Sequence, residues 1–382
     1  MRLRTLPIFF AFFVMGFVDA VGTLVGFAKD QYHLSGFMAG LLPFFGFIAF
    51  ALFSVPGGVL MDKKGKKLLM VLSLAIVLVG EALPAMTTGY VLLVAAIFLI
   101  GIGMALLQVA GNPIMRDVSE EGLFARNLTF AQFVKGLGSI AGPAVAIALV
   151  SRGLPWNSIF SVFGVVVAAT LAGVAFLKVE EKKGEDKPPA SIASSFALLG
   201  HPHVFMMILG LFLYVGAEVG VNSWIATFLN QKFQFDLGSL ATGGIAFFFL
   251  ALSIGRLIGS AVLNFMSARQ FLLVTAGLSV LGTLGIMLGT KEVAVGSIFL
   301  TGLGFGNVSP LVFSILIDRM PERSAELSGL LCMAIAGGAI MPPIMGKLSD
   351  IFGSATAAMA VPFLSCLYIL FLGVRAAREA KA

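Results

Sequence analysis

Five ionisable side chains lie inside otherwise apolar stretches of the chain and are the first candidates for chemistry: Asp19, Glu81, Lys135, Glu218 and Arg256. A charged group at the centre of a hydrocarbon layer costs about 2.5–3.5 kcal/mol on a lenient scale, so each needs a partner or a function. We predict that Asp19 lies close to Lys135 and binds a small cation. The alternatives for Asp19 are a permanent structural ion pair and a buried protonated carboxyl. We assign Glu81 and Arg256 structural parts.

Side-chain amides form a second set with helical spacing. Gln108 and Asn112 are four residues apart, as are Glu218 and Asn222, and residues at this spacing share a helix face. Amides both donate and accept hydrogen bonds, so together with Gln132 they suit recognition of hydroxyl groups. Hydrogen bonding between helices is the alternative. The predicted solute-binding residues are Gln108, Asn112, Gln132, Lys135, Glu218 and Asn222.

The chain offers no convincing set of side chains for catalysis or metal binding. His33, His201 and His203 fall outside the apolar stretches, and no phosphate-cradling glycine loop or cluster with metal-ligand spacing is present. Cys332 and Cys366 both lie in apolar stretches, which indicates neither a disulfide framework nor a thiolate site. We therefore expect no cofactor, no metal and no enzymatic activity.

The composition indicates a chain that lies in lipid. Hydrophobic residues make up 59% of the 382 positions, charged residues only 12%, and the mean hydropathy is +1.02. A soluble domain carries roughly 25% charged residues, because its surface meets water. The isoelectric point of 9.4 does not indicate a nucleic-acid partner, since the basic residues are dispersed among short loops.

Twelve apolar runs are each long enough, at about 20 residues, to cross a bilayer core of roughly 30 Å. The first lacks a small-residue cleavage site and is interpreted as a retained helix. The runs cover 6–28, 37–60, 68–86, 90–114, 127–150, 156–177, 204–229, 238–263, 270–289, 293–317, 326–346 and 356–374.

Lysine and arginine are unequally divided between the two sides that twelve crossings define. Eighteen fall on the side of the termini and five on the other, namely Lys29, Arg152, Lys232, Lys291 and Lys347. Positive loops stay in the cytoplasm. We therefore predict a multi-pass inner-membrane protein with both termini cytoplasmic.

The longest polar segment divides the chain into two halves. It contains the charged, proline-bearing sequence VEEKKGEDKPPAS and predicts an N-terminal bundle over 1–177, a cytoplasmic linker over 178–203 and a C-terminal bundle over 204–382. A weak repeat with an offset of 201 residues relates the halves, pairing Gly101 with Gly302 and Gly103 with Gly304. Two halves related in this way are a known transporter plan, with the solute held near the midplane.

The loop after the second run resembles a signature of the major facilitator superfamily. It reads Gly58-Val-Leu-Met-Asp62-Lys-Lys-Gly65-Lys66-Lys67 and matches G-x-L-x-D-[RK]-x-G-[RK]-[RK] at every specified position. The resemblance implies an all-α membrane protein of twelve transmembrane helices in two pseudo-symmetric six-helix bundles. We call Asp62 and Lys66 the inner latch and predict that, with Arg256, they gate the cytoplasmic face. A turn with basic anchors at the lipid headgroups is the alternative.

Further segments are similar to the fucose–proton symporter family of sugar transporters. They are Leu107-Gln-Val-Ala-Gly-Asn-Pro113, Ala131-Gln132, Tyr214-Val-Gly-Ala-Glu218, Ile254-Gly-Arg256 and Met345-Gly-Lys-Leu-Ser-Asp350, and they follow in the family's order. The resemblance implies an alternating-access fold and a monosaccharide moved together with a cation.

The chain departs from that family where the family carries its acids. Thr23 stands where the family has an acid in the first helix, and Gln108 where some members have a second. Asp19, one turn before Thr23, offers a carboxylate on the same helix face. Lys135 stands where the family has an asparagine. We predict that Asp19 binds the coupling ion, H⁺ or Na⁺, with help from the Thr23 hydroxyl.

The sequence therefore favours a monomeric secondary active transporter that carries a small polar solute, a monosaccharide or sugar derivative, across the lipid bilayer. The alternative is an exporter of drugs or amphipathic metabolites, whose cavity would be mainly apolar. Gln108, Asn112, Gln132 and Asn222 favour the first reading. A membrane enzyme or receptor is the most distant reading.

The predicted topology is testable with single cysteines and an impermeant thiol reagent applied from outside intact cells. Cysteines in the 151–156 and 230–237 loops should be labelled, whereas those at 179–192 should react only after the cells are permeabilised. Equal labelling of both sets would contradict the twelve-crossing topology.

Overall fold

The structure is a computed structural model that describes residues 6–17, 21–86, 89–177, 190–234 and 237–379. Fifteen α-helices lie in these ranges. They are α1 (Leu6–Met15), α2 (Val21–Tyr32), α3 (Gly36–Lys64), α4 (Lys66–Met86), α5 (Tyr90–Val118), α6 (Phe124–Ser151), α7 (Ser158–Phe176), α8 (Ile192–Ala197), α9 (Pro202–Phe233), α10 (Leu237–Val262), α11 (Ala268–Leu288), α12 (Lys291–Arg319), α13 (Ser324–Met333), α14 (Gly337–Phe352) and α15 (Ala355–Glu379).

The described helices reproduce the predicted membrane crossings. Ten helical segments are long and apolar enough to cross a membrane, judged by length and composition, and one of them, Pro321–Phe352, contains both α13 and α14. Leu6–Met15 and Phe247–Val262 are shorter apolar helices where the first and eighth crossings were predicted. Helices α3, α5 and α12 each have 29 residues. At 1.5 Å per residue they extend roughly 43 Å, so their ends project beyond a hydrocarbon core of roughly 30 Å. The predicted all-α membrane fold is confirmed.

The eleventh crossing differs from the uniform run that the sequence indicates. Helix α13 ends at Met333, a 3₁₀ turn covers Ala334–Ala336, and α14 follows from Gly337. Pro342 and Pro343 then lie inside α14, and each removes a backbone donor from the helical ladder. A 3₁₀ stretch within a helix often marks a hinge.

The chain forms two compact units. The first contains Met1–Glu120, Val134–Ala197 and Met320–Met333, and the second contains Glu121–Phe133, Leu198–Arg319 and Ala334–Ala382. Helix α13 thus packs within the first unit, where it contacts α3 and α5. The first residues of α6 belong to the second unit. The division at the linker into sequence halves stays a prediction.

Close glycine packing organises the first unit around α5. A Cβ added at Gly101 would lie 2.7 Å from the carbonyl oxygen of Gly46 on α3. One at Gly103 would lie 2.8 Å from the carbonyl oxygen of Ser73 on α4. Small residues permit such approaches where no water-driven force joins the helices. Two faces of α5 are therefore fixed against α3 and α4.

The second unit repeats this arrangement around α12. A Cβ at Gly302 would lie 2.9 Å from the carbonyl oxygen of Phe248 on α10, and one at Gly304 2.8 Å from that of Thr275 on α11. The glycines that the sequence pairs at an offset of 201 residues therefore make equivalent contacts. The predicted pseudo-symmetry is confirmed at the level of helix packing.

The predicted linker is partly helical. Residues 178–189 lie outside the described ranges, and α8 follows, with a 3₁₀ turn over Leu198–Gly200. Helix α8 contacts both α3 and α13 within the first unit. This end of the linker therefore packs against membrane-spanning helices.

Gly138 marks the crossing of α1 and α6. A Cβ at this position would overlap the carbonyl oxygen of Phe13, and one at Gly16 would overlap that of Lys135. The backbones of α1 and α6 are therefore in direct contact here, with no flexible side chain between them that could move to make room for an added methyl group.

We expect Gly138→Ala to destabilise the first unit, because overpacking against backbone atoms costs about 1–3 kcal/mol. Gly277→Ala on α11 is the matched control, since a Cβ there meets nothing within 4 Å. Thermal unfolding of the purified variants in detergent should show a lower midpoint for Gly138→Ala alone. Equal midpoints would mean that this crossing is looser than the structure shows.

Candidate functional site

Helix α5 carries two buried amides on one face. Gln108 is 4% exposed and Asn112 is fully buried. Among the described residues, neither the nitrogen nor the oxygen of the Asn112 side chain has a hydrogen-bond partner. An unsatisfied buried polar group costs about 1–3 kcal/mol, so this amide is a poor candidate for a purely structural residue.

Lys135 on α6 contacts this polar face directly. Its Nζ lies 3.4 Å from Oε1 of Gln108, to which it donates, and the side chain is half-buried. Both residues belong to the first unit. The structure thus brings together two of the predicted solute-binding residues, and Asn112 lies one turn further along α5.

The predicted partner of Lys135 is Asp19, in the first predicted crossing. Asp19 lies outside the described residues, and Thr23 is described only in its backbone, within α2. The proximity of Asp19 to Lys135 therefore stays a prediction. Within the described ranges, no carboxylate forms an ion pair with the Lys135 ammonium.

A second polar set lies in the second unit, centred on Arg256. This side chain is 7% exposed, and its Nη2 lies 3.8 Å from Oε1 of Glu218 on α9. Its Nε donates to the carbonyl oxygen of Gly306 on α12 at 3.3 Å, and its Nη1 to that of Gln132 on α6 at 3.2 Å. Arg256, on α10, thus contacts three further helices, and both its predicted structural part and its predicted part in gating stay predictions.

Glu218 makes a contact that the sequence did not indicate. Its carboxylate faces Arg256 of the neighbouring helix, and the Tyr214 hydroxyl, one turn earlier, donates to the carbonyl oxygen of Phe305 at 2.8 Å. Asn222, one turn later, has no described partner for its Oδ1. The side chain of Gln132 is 4% exposed. The contribution of these residues to solute binding stays a prediction.

The inner latch is part of a polar cluster in the first unit. Lys66 forms an ion pair with Asp117 at the end of α5, and the two side chains are 11% and 2% exposed. Oδ2 of Asp62 accepts a hydrogen bond from the backbone nitrogen of Ala190 in the linker at 2.8 Å. The loop signature therefore makes specific contacts beyond those of headgroup anchors.

Sequence reasoning missed the residues that complete this cluster. Glu326 on α13 is 2% exposed and accepts from Nη2 of Arg323 at 2.9 Å and from the Ser194 hydroxyl of α8 at 2.5 Å. An ionisable residue at the start of an apolar run was the available signal for Glu326. For Asp117 the available signal was that Asp318 stands 201 residues later, at the same offset that relates the paired glycines.

The chain is similar in sequence to a family of known proteins and to individual members of it. A family model described as Major Facilitator Superfamily matches residues 8–340. A glucose/galactose transporter of Brucella abortus biovar 1 (strain 9-941) is 28% identical over 378 residues, which cover 95% of this chain and 91% of the relative. The L-fucose-proton symporter of Escherichia coli (strain K12) is 22% identical over 379 residues, covering 91% of this chain and 86% of the relative.

Solved structures share the fold. The crystal structure of the major facilitator transporter FucP in the outward conformation has a TM-score of 0.87 at 20% identity and covers 98% of both chains. That of the proton:xylose symporter XylE, bound to 6-bromo-6-deoxy-D-glucose, has a TM-score of 0.75 at 12% identity, covering 97% of this chain and 94% of that one. The resemblances stated from the sequence are confirmed. Because the family model matches most of the chain, the protein belongs to the Major Facilitator Superfamily and is a membrane transporter, not an enzyme.

Proposed function

We propose that the protein moves a monosaccharide or sugar derivative across the membrane by alternating access, coupled to the movement of a cation. The names of its relatives support this reading, since they include a glucose/galactose transporter and an L-fucose-proton symporter. The proton is the favoured coupling ion because two of the similar proteins are named as proton symporters. Sodium is the alternative.

The buried amide of Asn112 carries the proposal. It places a donor and an acceptor, both without described partners, inside a membrane-spanning helix. A sugar hydroxyl both donates and accepts, so one hydroxyl group can satisfy such an amide. Gln108, on the same face of α5, supplies a second amide. An exporter of amphipathic compounds would gain nothing from a costly polar group at this position.

Coupling requires a group that binds the cation and senses the solute. Asp19 is the proposed group, with the Thr23 hydroxyl assisting, although neither side chain is among those described. The remaining parts of the proposal are an inner-membrane location, cytoplasmic termini and a monomeric state. The excess of Lys and Arg on the side of the termini supports the orientation.

The inner latch is proposed to stabilise one of the two alternating states. In this structure Asp62 binds the linker at Ala190, and Lys66 binds Asp117. Both contacts join segments that are distant in sequence, so a rearrangement of the helices at this end would separate them. Contacts made in only one of two states bias the equilibrium between those states.

The experiment that tests the function is uptake of radiolabelled monosaccharides into proteoliposomes with an imposed inward proton gradient. We expect at least one monosaccharide to accumulate inside the proteoliposomes, and we expect a protonophore to abolish this accumulation. In Asn112→Leu, an apolar side chain of similar size replaces the amide, so the KM of the transported sugar should rise about tenfold or more. The thermal unfolding midpoint should stay constant or rise, because an unsatisfied buried amide is removed.

Two results would contradict this proposal. One is a wild-type protein that accumulates no monosaccharide but expels amphipathic dyes. The other is unchanged sugar transport in Asn112→Leu, which would show that the Asn112 amide does not bind the sugar.

The inner latch is tested by Asp62→Asn, which removes the charge while keeping the shape. Turnover should fall strongly, because the variant loses contacts that stabilise one of the two alternating states. The affinity for the solute should stay within a few-fold of the wild-type value. Lys64→Gln is the matched control, since Lys64 occupies an unspecified position of the signature and is exposed at the end of α3. Equilibrium binding and initial rates separate the two quantities. Normal turnover in Asp62→Asn would contradict the latch and favour the alternative, a turn whose basic residues anchor it at the lipid headgroups.

A further inference from the structure

The described cations near or within the membrane-spanning helices differ in how their charge is compensated. Lys66 pairs with Asp117, Arg256 faces Glu218, and Arg323 pairs with Glu326. Among the described residues, Lys135 forms no such ion pair, and its ammonium bonds to the amide of Gln108. Two other described cations bind neutral groups, since Arg126 donates to the side-chain amides of Asn127 and Asn264, and Lys232 donates to the carbonyl oxygen of Met287.

A neutral amide is a weak substitute for a carboxylate at this depth. Removing an ammonium from water costs several kcal/mol, and a fixed opposite charge with good geometry is what repays such a cost. The amide oxygen supplies one acceptor, whereas an ammonium has three donors. Lys135 is half-buried, so part of its hydrogen-bonding capacity remains available to a molecule that reaches α5 and α6.

We infer that the transported solute is a monosaccharide that carries one carboxylate, such as a hexuronate or an aldonate, and that Lys135 binds this carboxylate. The inference rests on the proposed function and specifies its substrate class. In this arrangement Gln108 holds the ammonium through its Oε1, and Asn112, one turn along the same face of α5, binds a hydroxyl group of the sugar.

The number of charges favours a carboxylate over a phosphate. A phosphate monoester carries a charge of about −1.5 to −2 at neutral pH, which calls for more than one cation. Within the first unit, Lys66 and Arg323 are each engaged by a carboxylate. The one ammonium of Lys135 matches a single negative charge.

The test compares acidic and neutral sugars in the same proteoliposomes. The probes are D-glucuronate, D-galacturonate and D-gluconate, set against D-glucose, D-galactose and L-fucose, with glucose 6-phosphate as the dianion. We expect kcat/KM for at least one acidic sugar to exceed that of every neutral sugar tenfold or more. Glucose 6-phosphate should not be transported.

Variants of Lys135 then assign the preference to this side chain. In Lys135→Gln the ratio of acidic to neutral kcat/KM should fall about 10- to 100-fold, which is the effect of losing a hydrogen bond between two charged groups. Lys135→Arg, which keeps the charge, should retain most of the ratio. Lys347→Gln is the charge-matched control, since it removes an exposed lysine of α14 and should leave the ratio unchanged.

Each outcome decides between the readings. Transport of neutral sugars in preference to acidic ones, or an equal loss of both in Lys135→Gln, would overturn the inferred substrate class and leave the proposed function standing. Failure to transport any sugar would overturn both. If Lys135→Gln does not fold, thermal shifts of the wild-type protein decide, because acidic sugars should raise its unfolding midpoint more than neutral sugars do.

Discussion

Water is absent from the hydrocarbon core of a bilayer, and every polar group that enters this layer must find its partner within the protein. This requirement selects helices as the only elements of the described chain that cross. The absence of water also removes the hydrophobic driving force that packs helices in soluble proteins, so close contact between helices depends on small residues. The glycines of α5 and α12 meet this need, since their missing side chains allow backbone carbonyls of neighbouring helices to approach to about van der Waals distance.

The same requirement separates structural polar groups from functional ones. The charge of Arg256 is compensated by the Glu218 carboxylate, and its guanidinium also donates to two carbonyl oxygens, so removing the carboxylate would leave a buried charge poorly compensated. Asn112 is the opposite case, because both polar atoms of its side chain lack a described partner. A buried polar group without a partner in the protein is stabilised when a ligand supplies one, which is why we propose that Asn112 binds the solute and that Arg256 supports the framework.

The sequence predicted the crossings well because hydropathy is a local property, read one segment at a time. It could not predict that Lys66 pairs with Asp117, 51 residues away, since such pairing depends on how two helices are rotated about their axes. The 3₁₀ turn at Ala334–Ala336 was missed for a related reason, because no local signal distinguishes it within an apolar run. The Glu218–Arg256 pair was open to prediction only as two ionisable residues that each needed a partner.

The two halves share their packing but not their chemistry. At the offset of 201 residues that aligns the glycines of α5 and α12, the position of Gln108 corresponds to Ser309 and that of Asn112 to Phe313, which is 1% exposed. The contacts of Gly138 with Phe13 and of Gly337 with Phe212 are equivalent at an offset of 199, so the position of Lys135 corresponds to that of Ala334 in the 3₁₀ turn. The amides and the ammonium of the first half have no counterparts at these positions of the second half, so the solute recognition that we propose for this set depends on residues of one half.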